Sequence, residues 1–512
     1  MSEFMKNSFL LSRRGFVAAS GAALGTLALP RVVRAQDPDV LRYALSAYPP
    51  GLDPFKHEGA AAVTVKLQVF RGLLGLDGDG KVVGELAEKW EESGTGYIFH
   101  IRENAKFQNG EPVTAADVIW SLKQISREGS TAYFVKDLKV ISKVDAIDEK
   151  TVGITLSDPT PAFAKLLATA YVPILSEKAG MEKPVGAGPY KITSIEEGVS
   201  IDLEAFEDYY KDGYPKIRKI KMIAYKDESL RVAALESGDV DIIEYVPWQS
   251  MTKIEESPSL VLTETTGPNM IINFNVERPP FNDARVRQAV AYAVKREDIV
   301  AAAFYGRGKP LYGLPLDENS EAANDKTEQL WGYDPEKAKA LLEEAGVVGQ
   351  KVKLLSSSTY SMHQDTALIV QQYLNAVGLE VELDLPEWGA RVEQGNKGQY
   401  QFAINGSSTV VNDPDGLTAM IGSGTPTYKR SFGYSNSKID LLLSQGRREL
   451  DREKRIAIYD EVAELVQQDV PLCSLTRRTQ GYGLRDNVQD FHALVGSSNL
   501  YTGFGLEEVT FG

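Results

Sequence analysis

Residue types able to do catalysis or hold a metal are sparse in this chain of 512 residues. The four histidines, His57, His100, His363 and His492, stand far apart, and none is at metal-ligand spacing from another. Cys473 is the single cysteine, so no intrachain disulfide is possible. It lies in the apolar run Val470-Pro-Leu-Cys473 and reads as a buried, inert thiol. Ser250-Met-Thr-Lys253 has the Ser-x-x-Lys spacing of an activated serine, but its companion motifs are missing. No phosphate-cradling glycine loop and no Gly-x-Ser-x-Gly elbow occurs. Gly78-Asp-Gly80 reads as a turn between strands, and the pairs Glu91-Glu92 and Glu343-Glu344 as solvated helix or loop faces. The chain thus carries no catalytic constellation, and neither a cofactor nor a metal is expected.

Composition narrows the partners. Apolar content of 43% and charged content of 25% are those of an ordinary globular protein. A formal charge of −15 argues against nucleic acid, which needs clustered Lys and Arg, and against an anionic membrane surface. The N-terminal region carries Arg13-Arg14, an apolar stretch from Phe16 to Leu29, and the small-residue site Val33-Arg-Ala35. This is the order of an export signal, expected to span 1–35 and to be cleaved after Ala35. Its apolar run is shorter than the roughly 20 residues that cross a bilayer. Ser-Arg-Arg-x-Phe resembles the twin-arginine signal, which exports folded proteins. Cleavage removes five basic residues and one acid, taking the formal charge from −15 to −19. A soluble periplasmic protein is expected.

The elements that must position any site alternate along the chain. Tyr97–Arg102 and Thr151–Leu156 read as strands. Thr114 with Asp117 reads as a capping box that opens a helix bearing Val118, Ile119, Leu122 and Ile125. Asp334-Pro335 reads as an N-cap with proline at the first helical position, and Gly346 as the stop. Val352–Leu355, a helix to about Val377, and Leu379–Leu385 make a strand–helix–strand unit of the kind that packs as parallel sheet. In the segment Arg285–Val294, Val286, Ala289, Val290 and Ala293 share one helical face, leaving Arg285 and Arg287 free to point elsewhere. The fold class is α/β.

A more specific pattern begins at Ala87-Glu-Lys-Trp90 and continues through Tyr97–Arg102, Ala105-Lys-Phe107, Asn109–Val118 and Ser121-Leu122. Gly186-Ala-Gly-Pro-Tyr190, Leu235–Asp241, Phe274-Asn275 and Pro280–Ala289 follow in order. Asp334–Ala338, Glu387-Trp388, Asn412-Asp-Pro-Asp415 and Asp469-Val-Pro-Leu472 complete it. The ordered set resembles the family 5 solute-binding proteins of ABC importers, which carry peptides, nickel, opines and some sugars. The resemblance implies a two-lobed periplasmic binding protein fold, a ligand held between the lobes, and delivery to an ABC permease. It implies lobe I from 36–268 plus 484–512, with an extra subdomain at about 77–185, and lobe II from 269–483. A monomer is expected.

The same resemblance suggests the ligand-facing residues. Tyr48, Glu58, Tyr133, Glu244, Tyr245 and Trp248 would come from the first lobe. Trp388 and the run Gly406, Ser407, Ser408, Thr409 and Val410 would come from the second. The aromatic rings would supply stacking faces. Glu58 or Glu244 would suit a cationic group, and Arg477 or Arg478 an anionic one. Peptide binders of the family carry an acid at the position of Val410 to pair the peptide ammonium. Its lack disfavours a free dipeptide, although a slip of register would bring in Asp413 or Asp415. An opine-like conjugate, a modified peptide or a sugar is expected instead. An oligopeptide receptor of the same family, a periplasmic metal-dependent enzyme and a ligand-free chaperone-like scaffold are the alternatives.

Overall fold

Two long strands, Leu260–Phe274 and Leu472–Arg485, pair antiparallel in the middle of an 11-stranded mixed sheet. The computed structural model describes residues 39–407, 409, 411–424 and 427–512, so the expected signal peptide, Ser408 and Val410 lie outside the described residues. On one side of the central pair the sheet continues through Phe402–Ser407, Lys351–Leu355 and Glu380–Asp384. On the other it continues through Ile242–Ile243, Val40–Leu45, Lys219–Ala224, Ser200–Ala205 and Tyr190–Glu196. A separate four-stranded antiparallel sheet is built from Ala87–Ser93, Gly96–Ile101, Thr151–Leu156 and Ile141–Ala146.

Local chemistry explains these elements. The Asp334 carboxylate accepts from the Lys337 N–H at 2.9 Å and, with Pro335 at the first position, fixes the start of helix Pro335–Glu344. Thr114 and Asp117 form the capping box of helix Ala115–Ser126. Lys351–Leu355 and Glu380–Asp384 pair in parallel across helix Ser361–Ala376. On helix Ala284–Ala293 the apolar face Val286, Ala289, Val290 and Ala293 is buried. Arg287, however, is not free. It is buried and its guanidinium donates to the carbonyls of Phe281, Asp469 and Val470, closing orphan backbone acceptors. Glu91 and Glu92 are exposed, on a strand rather than a helix or loop. Gly78-Asp-Gly80 is a turn between the paired strands Leu74–Leu76 and Val82–Gly84.

The apolar interior is in two main parts. One gathers side chains from Leu41 to Met222 with the C-terminal stretch from Tyr482 to Val509. The other gathers side chains from Val232 to Leu475, including helices Glu228–Ser237 and Trp248–Glu255. The long central strands run past both. Within them the ladder is interrupted between Thr266 and Asn269, where Gly267-Pro268 bulges out opposite Arg478. Pro268 lacks the N–H the ladder needs. At Gly267 a Cβ would stand 3.1 Å from the Arg478 carbonyl and 3.0 Å from Gln480 Cβ, so the close approach needs glycine. Among the described residues no helix is long and apolar enough to cross a membrane.

Candidate ligand-binding cleft

The bulge opens onto a cavity of about 440 Å³, within the size range of small-molecule sites. Strand ends and loops bring its walls together. Tyr48 and Glu58 follow the first strand, Tyr245 and Trp248 flank the start of helix Trp248–Glu255, and Trp388 opens helix Trp388–Asn396. Gly406 and Ser407 end strand Phe402–Ser407. These seven sequence-derived residues line one space. Tyr133, Glu244 and Thr409 do not. Tyr133 packs against His57 with its ring tilted by 47° and ring centroids 5.2 Å apart. Thr409 is buried, its hydroxyl hydrogen-bonded to that of Ser497.

The acids are already engaged. Glu244 is buried behind the wall, where it accepts from the Ser46 N–H at 2.8 Å and the Ser46 hydroxyl at 2.7 Å; burial raises its pKa. Glu58 pairs with the buried ammonium of Lys66 at 3.0 Å. Asp413 is held by Arg455 at 2.6 Å and Lys165 at 3.2 Å, and Asp415 by Arg447 at 2.9 Å. Neither aspartate stands at the cleft wall. Glu228 lines the cleft, raised by burial against the opposing pull of Arg231.

The cations are not matched by acids. Arg478 is 3% exposed and lies over the rings of Trp248 and Tyr245, at 5.4 and 5.9 Å. Its guanidinium donates to Gln480 at 2.9 Å, its Nε has no hydrogen-bond partner, and Tyr245 but no carboxylate acts against the burial that lowers its pKa. Tyr245 sits in the left-handed region at φ 52°, a strained conformation for a bulky residue, and its carbonyl accepts from Arg231 at 2.8 Å. The partner Arg478 holds over its ring is thus fixed from behind. Arg477, the other arginine of the pair, instead donates to the Leu316 carbonyl and Glu328.

Several cleft residues were not read from the sequence. Tyr360, His363, Trp388 and Tyr428 form an aromatic box, with Trp388 5.4 Å from Tyr360, 5.2 Å from His363 and 5.9 Å from Tyr428. Behind it the buried Arg391 lies over Trp388 and Tyr428 at 5.5 and 5.3 Å, with Nε and Nη1 unbonded. At the far end Lys429 lies 6.0 Å from the Tyr133 ring, beside His57. Burial and nearby cations push both His57 and His363 down to about 3, so both rings are neutral at physiological pH. The His57 Nδ1 is 2.5 Å from the Tyr171 hydroxyl. Among the described residues no group of three or more His, Cys, Asp or Glu is arranged to hold a metal ion. The cleft is an aromatic, electropositive container with neutral histidines, suited to binding an anion.

Comparison with known proteins agrees with this architecture. Residues 81–429 match the family described as bacterial extracellular solute-binding proteins, family 5 Middle. The chain is 31% identical over 441 residues to the glutathione-binding protein GsiB of Escherichia coli (strain K12), covering 82% of this chain and 85% of that protein. It superposes with a TM-score of 0.85 and 37% identity on the PBP AgaA from A.tumefacien R10 in complex with agropinic acid, covering 92% and 99% of the two chains. DppA from Helicobacter pylori, in complex with the peptide STSA, shares the fold at 22% identity and a TM-score of 0.80, covering 92% and 98%. The chain has the two-lobed periplasmic binding protein fold and belongs to family 5 of the bacterial extracellular solute-binding proteins.

Proposed function

We propose that this protein is the periplasmic receptor of an ABC importer for a small acidic amino-acid conjugate, of the opine or modified-peptide kind. The observation that carries the reading is Arg478, a buried cation on the cleft wall with no carboxylate to offset it. A buried charge left unpaired is costly, and a ligand anion supplies the missing partner. The aromatic box around Trp388 suits the body of such a ligand. AgaA holds agropinic acid, an acidic amino-acid conjugate, which supports the same class here; GsiB is named for glutathione, a modified peptide that has two carboxylates but keeps one ammonium. A free dipeptide is disfavoured, because its ammonium meets Arg478 and Lys429 while Glu58, Asp413 and Asp415 are held in ion pairs and the cleft-lining Glu228 already acts against the charge of Arg231.

Capture follows from a two-state equilibrium. A ligand that touches both halves of the cleft binds the closed arrangement better and shifts the population toward it. Moving that population from 1:99 to 99:1 takes roughly 5.5 kcal/mol of differential binding. An ABC permease then reads the closed form, and family 5 proteins serve such permeases with small solutes or peptides. We assign lobe I to 36–268 plus 484–512 and lobe II to 269–483, with monomeric action and export through the Arg13-Arg14 signal.

The test is a thermal-shift panel on protein lacking residues 1–35, unfolded and refolded to strip carried-over ligand. The panel holds opines, glutathione, N-acylated amino acids and dipeptides, sugar acids and free dipeptides. A solute at 100 times its Kd stabilises by about 2.7 kcal/mol, a shift that is easily read. Stabilisation by acidic conjugates and not by free dipeptides supports the proposal. Stabilisation by neutral sugars or free dipeptides alone overturns it.

A further inference from the structure

The cleft has a second unmatched cation, and the aromatic box lies between the two. Lys429 follows Tyr428, whose ring meets Trp388; Trp388 in turn meets His363, which feels the charge of Arg478. Arg478 thus lies against Trp248 and Tyr245 near His363, and Lys429 lies against Tyr133 and His57 next to Tyr428, on two separate stretches of the wall. Burial lowers the pKa of Lys429, and no acid acts against that effect. The other cations along the wall differ: Lys226 is exposed to solvent, and Arg231 is buried. Arg231 donates to the carbonyls of Tyr225 and Tyr245, at 2.7 and 2.8 Å, and is offset by Glu244 and Glu228. Next to Lys429 the neutral His57 is fixed by Tyr171 and adds no charge of its own.

Resting on the receptor reading above, we propose that the cleft is two-ended. It selects a ligand with two anionic groups and no free ammonium, one anion at Arg478 and the other at Lys429, with the ligand body inside the box of Trp388, His363 and Tyr428. With Glu58 paired to Lys66 and Glu228 set against Arg231, the two poles leave a ligand cation no free acid, and a monoanion leaves one pole unsatisfied. The selectivity thus lies in the number and spacing of anions.

The probes are N-acetyl-alanyl-glutamate and N-acetyl-alanyl-glutamine, which differ by one charge at nearly equal shape and carry no ammonium. Titration calorimetry on the stripped protein is expected to give the glutamate probe about 10- to 100-fold tighter binding, the worth of one hydrogen bond to a charged group. Lys429→Met is expected to bring the glutamate probe to the affinity of the glutamine probe and to leave the latter unchanged. Lys429→Arg keeps the gap, and Arg478→Met weakens both probes. An unchanged thermal midpoint for the Lys429 variants separates these effects from misfolding. Equal affinities for the two probes in the wild type, or a gap that survives Lys429→Met, overturn the two-ended cleft while the receptor reading stands. If no acidic member of the panel binds, both fall together.

Discussion

Replacing Arg478 by methionine keeps the apolar stem and removes the charge. That charge is buried to 3% exposure, lies over Trp248 and Tyr245, and among the described residues donates to Gln480. Losing the Gln480 hydrogen bond and the ring contacts costs about 1 kcal/mol each. Relieving the desolvation of a cation without a carboxylate returns several kcal/mol. The urea midpoint of the empty Arg478→Met protein is therefore expected to stay level or to rise. Binding should move the other way. A ligand carboxylate deprived of this partner loses about 3–5 kcal/mol, or two to three and a half decades in Kd at 1.4 kcal/mol per decade. Calorimetry with the tightest acidic member of the panel measures the loss, and urea unfolding without ligand measures stability. A variant that binds within threefold of the wild type, or that loses stability in step with affinity, refutes the assignment of Arg478 as a ligand-facing cation.

Three further perturbations test other parts of the molecule. His363 is buried and held near a pKa of about 3, below its unfolded value, so it contributes stability above about pH 6.5 that is lost as pH falls toward 3. Each pH unit below 6.5 is expected to cost about 1.4 kcal/mol through this residue, and His363→Gln should roughly halve the slope that it and His57 together give the thermal midpoint between pH 6.5 and 4.5. Arg71 ties the buried carboxylates of Glu85 and Glu507, at 3.3 and 3.0 Å, in a network that also holds Lys211. Arg71→Met leaves two buried acids to one lysine and is expected to destabilise by about 3–5 kcal/mol in urea unfolding with Kd unchanged. Lys165 reaches from helix Phe163–Leu167 to the Asn412 carbonyl at 2.8 Å and to Asp413 at 3.2 Å, a contact outside the cleft that joins the segments assigned to lobe I and lobe II. Because Lys165 is 41% exposed, Lys165→Ala is expected to weaken binding by up to about fivefold in calorimetry, with the empty protein as stable as before.

The fold was legible where local chemistry decides it. The Asp334-Pro335 helix start, the Thr114–Asp117 box and the parallel unit around helix Ser361–Ala376 each rest on contacts within a few residues or on one hydrophobic period. Arg287 was misjudged because its carbonyl partners at Asp469 and Val470 lie more than 180 positions away and leave no local trace. The cleft divides in the same way. Trp388, Tyr245, Trp248, Gly406 and Ser407 lie at strand ends and helix starts inside recognisable segments. Tyr428 and Lys429 follow the polar sequence Gly422-Ser-Gly-Thr-Pro-Thr427, which has no period, and they meet Trp388 and Tyr133 only through the tertiary fold. Glu58 and Glu244 looked available because a sequence does not reveal that Lys66 and Ser46 already satisfy them. The burial of a charge and the lack of its counter-charge are properties of the assembled cleft.

The most direct measurement is calorimetry of the stripped protein with one matched pair, free alanyl-glutamate and its N-acetyl derivative. Acetylation replaces the ammonium by a neutral amide, and the cleft acids Glu58 and Glu228 are already set against Lys66 and Arg231. If this is a receptor for acidic conjugates, the acetylated compound binds and the free dipeptide binds at least about 100-fold more weakly, the cost of an unpaired buried charge. Tighter binding of the free dipeptide contradicts the account and makes the protein a receptor for ordinary peptides.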